Sequence, residues 1–155
     1  MQNTLTVVDS LIQEHAGIKG HMKSVSSLAE DWKGMEWDEL TNLTHDQLQS
    51  LNNKWFNLKQ TLRYLDDGLK SHWQHEDKVL PNLIGELLTK SIKIEHDEIQ
   101  KQMREINFVM DKSTPQEFLS NRRYLIDIIA HVCQLISEHE VKESTILQLL
   151  KRQFI

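Results

Sequence analysis

Apolar residues recur along most of the chain at alternating steps of three and four, the spacing of a buried stripe on an amphipathic helix. The pattern predicts a first helix from about Leu5 to Glu30 and a second that begins near Thr44. The first stripe is Leu11, His15, Ile18, Met22, Val25 and Ala29. The second stripe is Leu48, Leu51, Trp55, Leu58, Leu62, Leu65, Leu69, His72, Glu76, Val79 and Leu80.

Two further stripes follow in the second half of the chain. The pattern predicts a third helix from about Glu86 to Asp111 and a fourth that opens at Thr114. The third stripe is Leu88, Ile92, His96, Ile99, Met103, Ile106 and Met110. The fourth stripe is Phe118, Leu125, Ile128, Val132, Leu135, His139, Glu143, Ile146 and Leu150.

Local signals mark the ends of the predicted helices. Thr44 and Gln47 form the pattern of a capping box, in which each side chain satisfies a free backbone N–H. Thr114 is followed by a proline at the first helical position and by Glu117 at the third, which is typical of a helix start. Pro81 is expected to end or kink the second helix, because its ring clashes with the preceding turn.

The connections between the helices predict the architecture. The segment 31–44 is of moderate length and contains Trp32 and Trp37, which are expected to cover the far end of the bundle, and the other two connections are short. Four long helices joined in this way predict an all-α, up-down-up-down antiparallel four-helix bundle. The length of 155 residues fits a single domain spanning residues 1–155.

Composition and charge exclude several classes of function. The net charge is −5 and no basic stripe occurs, so no nucleic-acid partner is expected. No run approaches the roughly 20 apolar residues that span a membrane, and the first ten residues do not resemble a signal peptide. The single cysteine, Cys133, cannot form an internal disulfide. A cytoplasmic location is therefore expected.

Histidine is the unusual residue of the composition, with eight copies. Each predicted helix carries one histidine on its stripe, and two helices add a glutamate one turn later. Residues four apart share a helix face, so each His–Glu pair points inward together. In an antiparallel bundle all of these side chains gather at one end. The set is His15, His72, Glu76, His96, His139 and Glu143.

This combination of side chains predicts a metal centre. Buried carboxylates are costly without a partner or a cation. Imidazole nitrogens and carboxylate oxygens suit iron, and also manganese or zinc. Two glutamates that bridge two ions would leave two histidines for each ion. With an oxo or hydroxo bridge, each ion would reach about five ligands and keep an open position for a small ligand.

The motifs His72-x-x-x-Glu76 and His139-x-x-x-Glu143, together with His15, His96 and the Pro81 that closes the second stripe, resemble the hemerythrin-like (HHE cation-binding) family. This resemblance covers nearly the whole chain. It implies a four-helix bundle with a non-haem di-iron centre. Members of the family carry or sense oxygen, bind nitric oxide, handle iron or help to repair damaged iron centres.

The chain departs from the oxygen-carrying hemerythrins at two positions. Gln100 stands where those proteins have a second histidine on the third helix. Their last carboxylate is an aspartate five residues after its histidine, where this chain has Ser144, and the glutamate here is Glu143. The pattern resembles the branch with four histidines and two glutamates, and it argues against simple reversible oxygen carriage.

Other residues near the predicted metal centre are expected to support it or to have no part in it. His75 is expected to face solvent or to support the site from outside, and Glu14, Glu95 and Gln100 are candidate hydrogen-bond partners for the ligand histidines. Trp73, off the stripe, shields the site or packs against a neighbouring helix. Cys133 is expected to be an unreactive boundary residue. His21, His45 and His131 are expected to be structural or surface residues, and no redox role is expected for Tyr64 or Tyr124.

Three functions remain open from the sequence. The leading hypothesis is a di-iron protein that binds oxygen or nitric oxide in sensing, scavenging or iron handling. The second is a di-iron enzyme that reduces peroxide or nitric oxide, or assists the repair of iron centres. The third is an interaction bundle without a metal. The pattern does not indicate a protein partner.

Overall fold

The computed structural model describes residues 3–35 and 43–153, and all regular secondary structure in these ranges is helical. The helices are α1 (Thr4–Lys33), α2 (His45–Ile84), α3 (Glu86–Lys112), α4 (Pro115–Ser120) and α5 (Arg122–Gln153). The predicted capping box forms at the start of α2, where Gln47 N donates to Thr44 Oγ1 (3.2 Å) and Thr44 N donates to Gln47 Oε1 (2.9 Å). No described helix has an apolar stretch long enough to cross a membrane.

The four long helices form a closed ring of neighbours. α1 packs against α2 and α5, and α3 packs against the same two helices. Ion pairs show that adjacent helices run in opposite directions. Asp9, near the start of α1, contacts Lys151, near the end of α5 (2.9 Å), and Asp111, near the end of α3, contacts Lys59 in the first half of α2 (3.0 Å). The all-α, up-down-up-down bundle is confirmed.

The end of α2 differs from the prediction. The helix does not stop at Pro81 but continues to Ile84. The hydrogen bond that proline removes would go to the carbonyl of Asp77, a residue on the exposed face of the helix. The helix stops instead at Gly85, whose φ of 86° is accessible mainly to glycine. This single residue connects α2 to α3 and sets them side by side.

The fourth predicted helix is divided in two at Asn121. Thr114 caps the first part as predicted, accepting a hydrogen bond from Glu117 N (3.1 Å). The side chain of Asn121 donates to the carbonyl of Glu117 (3.2 Å), which also accepts from the backbone N–H of Asn121 (3.1 Å). The short α4 buries two consecutive residues, Phe118 and Leu119, against the bundle.

The buried stripes depart from the predicted ones in two helices. In α3, Leu88 is 43% exposed and Thr89 is buried instead, where its hydroxyl donates to the carbonyl of Gly85 (2.7 Å). In α5 the most buried residues include Ile129, Ile136 and Leu147, each one position beyond a predicted residue. A straight helix drifts relative to a strict seven-residue repeat, so the stripe shifts along its length.

The core consists of two apolar clusters that lie on either side of a polar layer. The larger cluster fills most of the bundle and ends in Trp32, Trp55 and Phe118, whose rings lie 4.7–6.3 Å apart. Trp37 lies outside the described residues. The smaller cluster closes the opposite end and consists of Val8, Leu11, Leu80, Ile92 and Leu147. The stripe histidines and glutamates form the layer between the two.

Candidate metal centre

The structure brings together the six polar side chains that the stripes predicted. They come from α1, α2, α3 and α5, so every long helix contributes. All six residues are buried, with exposures of 7% or less. The six residues are His15, His72, Glu76, His96, His139 and Glu143.

The four imidazoles form two pairs. The rings of His15 and His72 lie 4.6 Å apart, and the rings of His96 and His139 lie 4.5 Å apart. The first pair joins α1 to α2, and the second joins α3 to α5. Each pair therefore spans two adjacent helices, and the two pairs face each other across the bundle axis.

Both glutamates reach histidines of both pairs. Glu76 Oε1 lies 2.5 Å from His72 Nε2 and 3.4 Å from His15 Nε2, while its Oε2 lies 3.3 Å from His96 Nε2. Glu143 Oε1 contacts His139 Nε2 and lies 2.9 Å from His96 Nε2, and its Oε2 lies 3.7 Å from His15 Nε2. The carboxylates thus stand between the two pairs.

The outer nitrogens of three histidine rings have hydrogen-bond partners. His72 Nδ1 donates to Glu14 Oε1 (2.8 Å), and His139 Nδ1 donates to Glu95 Oε2 (3.2 Å). His15 Nδ1 is hydrogen-bonded to Ser144 Oγ (3.1 Å). Such partners fix the ring orientation and leave Nε2 free to bind a cation. Glu14 and Glu95 thus occupy the supporting positions that the sequence suggested, whereas Gln100 forms no hydrogen bond to a histidine in the described part of the chain.

The fourth histidine, His96, is held by packing. Its ring stacks on Trp73 with centroids 4.4 Å apart and an interplanar angle of 15°. Its Nδ1 is buried and has no hydrogen-bond partner among the described residues. Trp73 is fully buried, so it packs against α3 and shields one side of the site at the same time.

The electrostatics of the site reflect mutual neutralisation of acids and bases. Burial alone would lower the pKa of His15, but the carboxylates of Glu140, Glu143 and Glu76 outweigh it and raise that pKa to about 11. Burial likewise opposes protonation of His96, yet Glu143 and Glu76 raise its pKa to about 9. Burial would raise the pKa of Glu143 and of Glu76, but the surrounding imidazoles lower both. Without a cation, protons on the histidines balance the carboxylates.

The residues fit a pair of cations. His72 Nε2, Glu76 Oε2 and Glu143 Oε2 are buried and have no hydrogen-bond partner of proper geometry among the described residues. Orphaned atoms of this kind are costly unless a cation binds them. Two groups of ligand atoms each lie within 4.8 Å of one another, and both include Glu143. The groups are His15, His72, Glu140 and Glu143, and His96, His139 and Glu143.

Glu140 belongs to the first group and was missed by the sequence analysis. It follows His139 directly, so it lies beside the apolar stripe and not on it. Its side chain is only 12% exposed, and its Oε2 lies 2.9 Å from His15 Nδ1. No periodic signal identifies such a residue, because its burial depends on how closely α1 packs against α5.

The other predicted roles can be placed beside this geometry. His75 Nδ1 donates to Glu14 Oε2 (2.7 Å), so it supports the site from outside. His45 and His131 are exposed, and His21 lies near Tyr64 with ring centroids 6.5 Å apart. Cys133 is half-buried, and burial raises the pKa of its thiol, which keeps it unreactive.

A helical bundle whose core holds paired imidazoles and shared carboxylates belongs to the class of cation-binding helical proteins. The family model described as the hemerythrin HHE cation binding domain matches residues 6–148. This match covers most of the chain, which therefore belongs to the hemerythrin HHE cation-binding family. Searches of curated proteins and of solved structures gave no match.

Proposed function

We propose that this protein binds two iron ions through His15, His72, Glu76, His96, His139 and Glu143, and that the centre takes up oxygen or nitric oxide in sensing, scavenging or iron handling. The observation that carries the proposal is the position of the two glutamates. Each reaches histidines of both pairs, as a carboxylate that bridges two cations must. A single ion would not require this duplication.

The donor atoms support iron as the native metal. Four imidazole nitrogens with carboxylate oxygens suit iron, and manganese and zinc are the competing ions. A pair of ferrous ions would supply the electrons and the open coordination positions that oxygen or nitric oxide requires. The chain itself supplies ring orientation through Glu14, Glu95 and Ser144 and excludes bulk water through its two apolar clusters.

A small cavity supports a diatomic ligand. It has a volume of about 10 Å³ and adjoins both glutamates, with otherwise apolar walls. A space of this size accepts about one water-sized molecule. Oxygen and nitric oxide are the smallest of the candidate ligands for such a space. The lining residues are Glu76, Leu80, Ile92, Glu143, Ile146 and Leu147.

The proposal is tested by loading the protein with ferrous iron without oxygen, measuring the metal content, and recording visible spectra after adding oxygen or nitric oxide. We expect two ions per chain and a spectral change with at least one gas. His72→Ala should lower the metal content, whereas His45→Ala, at an exposed position on the same helix, should not. A spectrum that neither gas alters would refute gas binding. Continuous gas consumption with a reductant would favour the enzymatic alternative.

A further inference from the structure

We propose that Glu140 is a third carboxylate ligand, which binds the cation on the side of His15 and His72, so that the two ion positions are unequal. This inference rests on the proposed function, because it needs a metal pair in the site. It adds a residue that neither the stripe pattern nor the match to the family assigns.

Glu140 is a buried carboxylate whose one basic contact within the described residues is with His15. Its side chain is only 12% exposed, and both carboxylate oxygens are inaccessible to solvent. Neither oxygen has a hydrogen-bond partner of proper geometry among the described residues. A buried carboxylate in this condition is unfavourable unless a cation neutralises it.

The nearest base, His15, balances the charge of Glu140 only while its ring is protonated. His15 Nδ1 lies 2.9 Å from Glu140 Oε2, but the ring is hydrogen-bonded to Ser144 Oγ at 3.1 Å. Lys19 and Arg152 line the same groove between α1 and α5, yet neither forms an ion pair with Glu140 in the described structure. A ligand atom of Glu140 lies within 4.8 Å of those of His15, His72 and Glu143. A cation bound to His15 Nε2 keeps that ring neutral, so the cation then balances the charge of Glu140.

The other outer carboxylates each accept hydrogen bonds from described residues. Glu14 accepts hydrogen bonds from His72 and His75, at 2.8 and 2.7 Å. Glu95 contacts Lys142 at 2.6 Å, and it remains 37% exposed. These two therefore orient histidines from outside. Glu140 differs from them in burial and in partners, which is why we assign it to the metal.

The assignment makes the two ion positions chemically different. The cation near His15 and His72 would gain an additional oxygen donor, whereas the group of His96, His139 and Glu143 has no counterpart to Glu140 within the described residues. The cation on the second side would have fewer protein ligands and would keep the open position. A small gas would therefore bind on the side of His96 and His139.

The test measures the binding of cobalt(II) to the full chain in competition with a chromophoric chelator. Wild-type protein should bind two ions. Glu140→Gln, which preserves shape and removes charge, should keep one ion and weaken the other by more than about 100-fold, beyond the 10–100-fold typical of residues that only orient a ligand. Glu140→Asp should give an intermediate affinity. The matched control is Glu138→Gln, at an exposed position on the same helix.

Ser144→Ala separates a ligand from a residue that positions His15. It removes the hydrogen bond of His15 Nδ1 and should weaken one ion by about 10-fold at most. Equal effects of Ser144→Ala and Glu140→Gln would show that Glu140 only positions the ring and would overturn the assignment. Unchanged affinity of Glu140→Gln for both ions would also overturn it, while leaving the proposed function standing. Wild-type protein that binds no cobalt(II), iron or zinc would defeat the proposed function itself.

Discussion

The two histidine pairs occupy different surroundings. The pair of His96 and His139 lies beside Trp73, whose ring stacks on one histidine and meets the other edge-on at 6.1 Å. The pair of His15 and His72 lies beside carboxylates and hydroxyls, and His15 borders a groove of about 630 Å³ between α1 and α5. Packing orients His96, while hydrogen bonds orient both members of the other pair.

The two histidine pairs of this polar layer are therefore held in place by different interactions. An aromatic wall excludes water and fixes His96 through shape, although His96 Nδ1 and Trp73 Nε1 are buried there without hydrogen-bond partners among the described residues. The polar wall adjusts ring orientation through Glu14 and Ser144 and lies next to the groove. Mutations on the first side should therefore act mainly on stability, and mutations on the second side mainly on metal affinity.

The largest effect, on metal content, is expected at Glu143, which contacts both histidine pairs. Glu143 faces His15 on one side and His96 and His139 on the other, so Glu143→Ala removes a donor from both ion positions. We expect the loss of both ions, measured by elemental analysis of protein purified with iron present. His131→Ala, at an exposed position on the same helix, is the control. Retention of one ion with wild-type affinity would show that this glutamate serves only one side.

The second-largest effect is expected at Trp73, beside the pair of His96 and His139. Trp73 is 2% exposed, and its truncation leaves a large cavity beside His96. We expect Trp73→Ala to lower the free energy of unfolding of the metal-free protein by about 3–5 kcal/mol, measured by denaturant titration. Trp73→Phe, which keeps a stacking ring, should lose less. Phe56→Ala, at a position 62% exposed on the same helix, should be nearly neutral.

The stripe pattern predicted the six central side chains because burial of a straight helix repeats at steps of three and four. His72 and Glu76, or His139 and Glu143, share a face whatever the details of packing. Trp73 and Glu140 each follow a stripe histidine directly, and only the approach of a neighbouring helix decides whether such a residue is buried. Their contribution to the site was therefore beyond the reach of periodicity.

The helix ends show the same limit of prediction from sequence. Thr44 and Thr114 cap helices through local hydrogen bonds, which local sequence encodes. At Asn121 both the side-chain amide and the backbone N–H donate to the carbonyl of Glu117. Asparagine is common within helices, so its presence does not by itself predict a break. The burial of Phe118 and Leu119 in the short α4 is a tertiary contact, which local sequence does not encode.

A smaller effect, on metal affinity, is expected at the pair of His15 and His72. Glu14 accepts from both His72 and His75, so Glu14→Gln weakens the support of one ligand ring. We expect a fall of about 10–100-fold in the affinity for one ion, with little change in unfolding of the metal-free protein. His75→Ala leaves the bond to His72 intact and should have a weaker effect. A large loss of stability in Glu14→Gln would contradict the division between the two sides.

The pH dependence of the metal-free protein gives the most gradual test. The pKa of His96 is raised to about 9 by Glu143 and Glu76, although burial opposes it, and the ordinary value is 6.5. The folded state thus holds this proton more tightly than the unfolded state. Its stabilisation is complete below pH 6.5 and is lost as the pH rises toward 9.

The pKa of His15 is likewise raised, to about 11, so the loss of stability continues at higher pH. In the presence of a chelator, the Tm should therefore fall by several degrees between pH 6.5 and 9 and continue to fall above pH 9. His96→Ala should make the first part of the curve less steep and leave the decline above pH 9, which the higher pKa of His15 sustains. A Tm that stays level or rises from pH 6.5 to 9 would show that imidazolium–carboxylate pairs do not stabilise the metal-free layer.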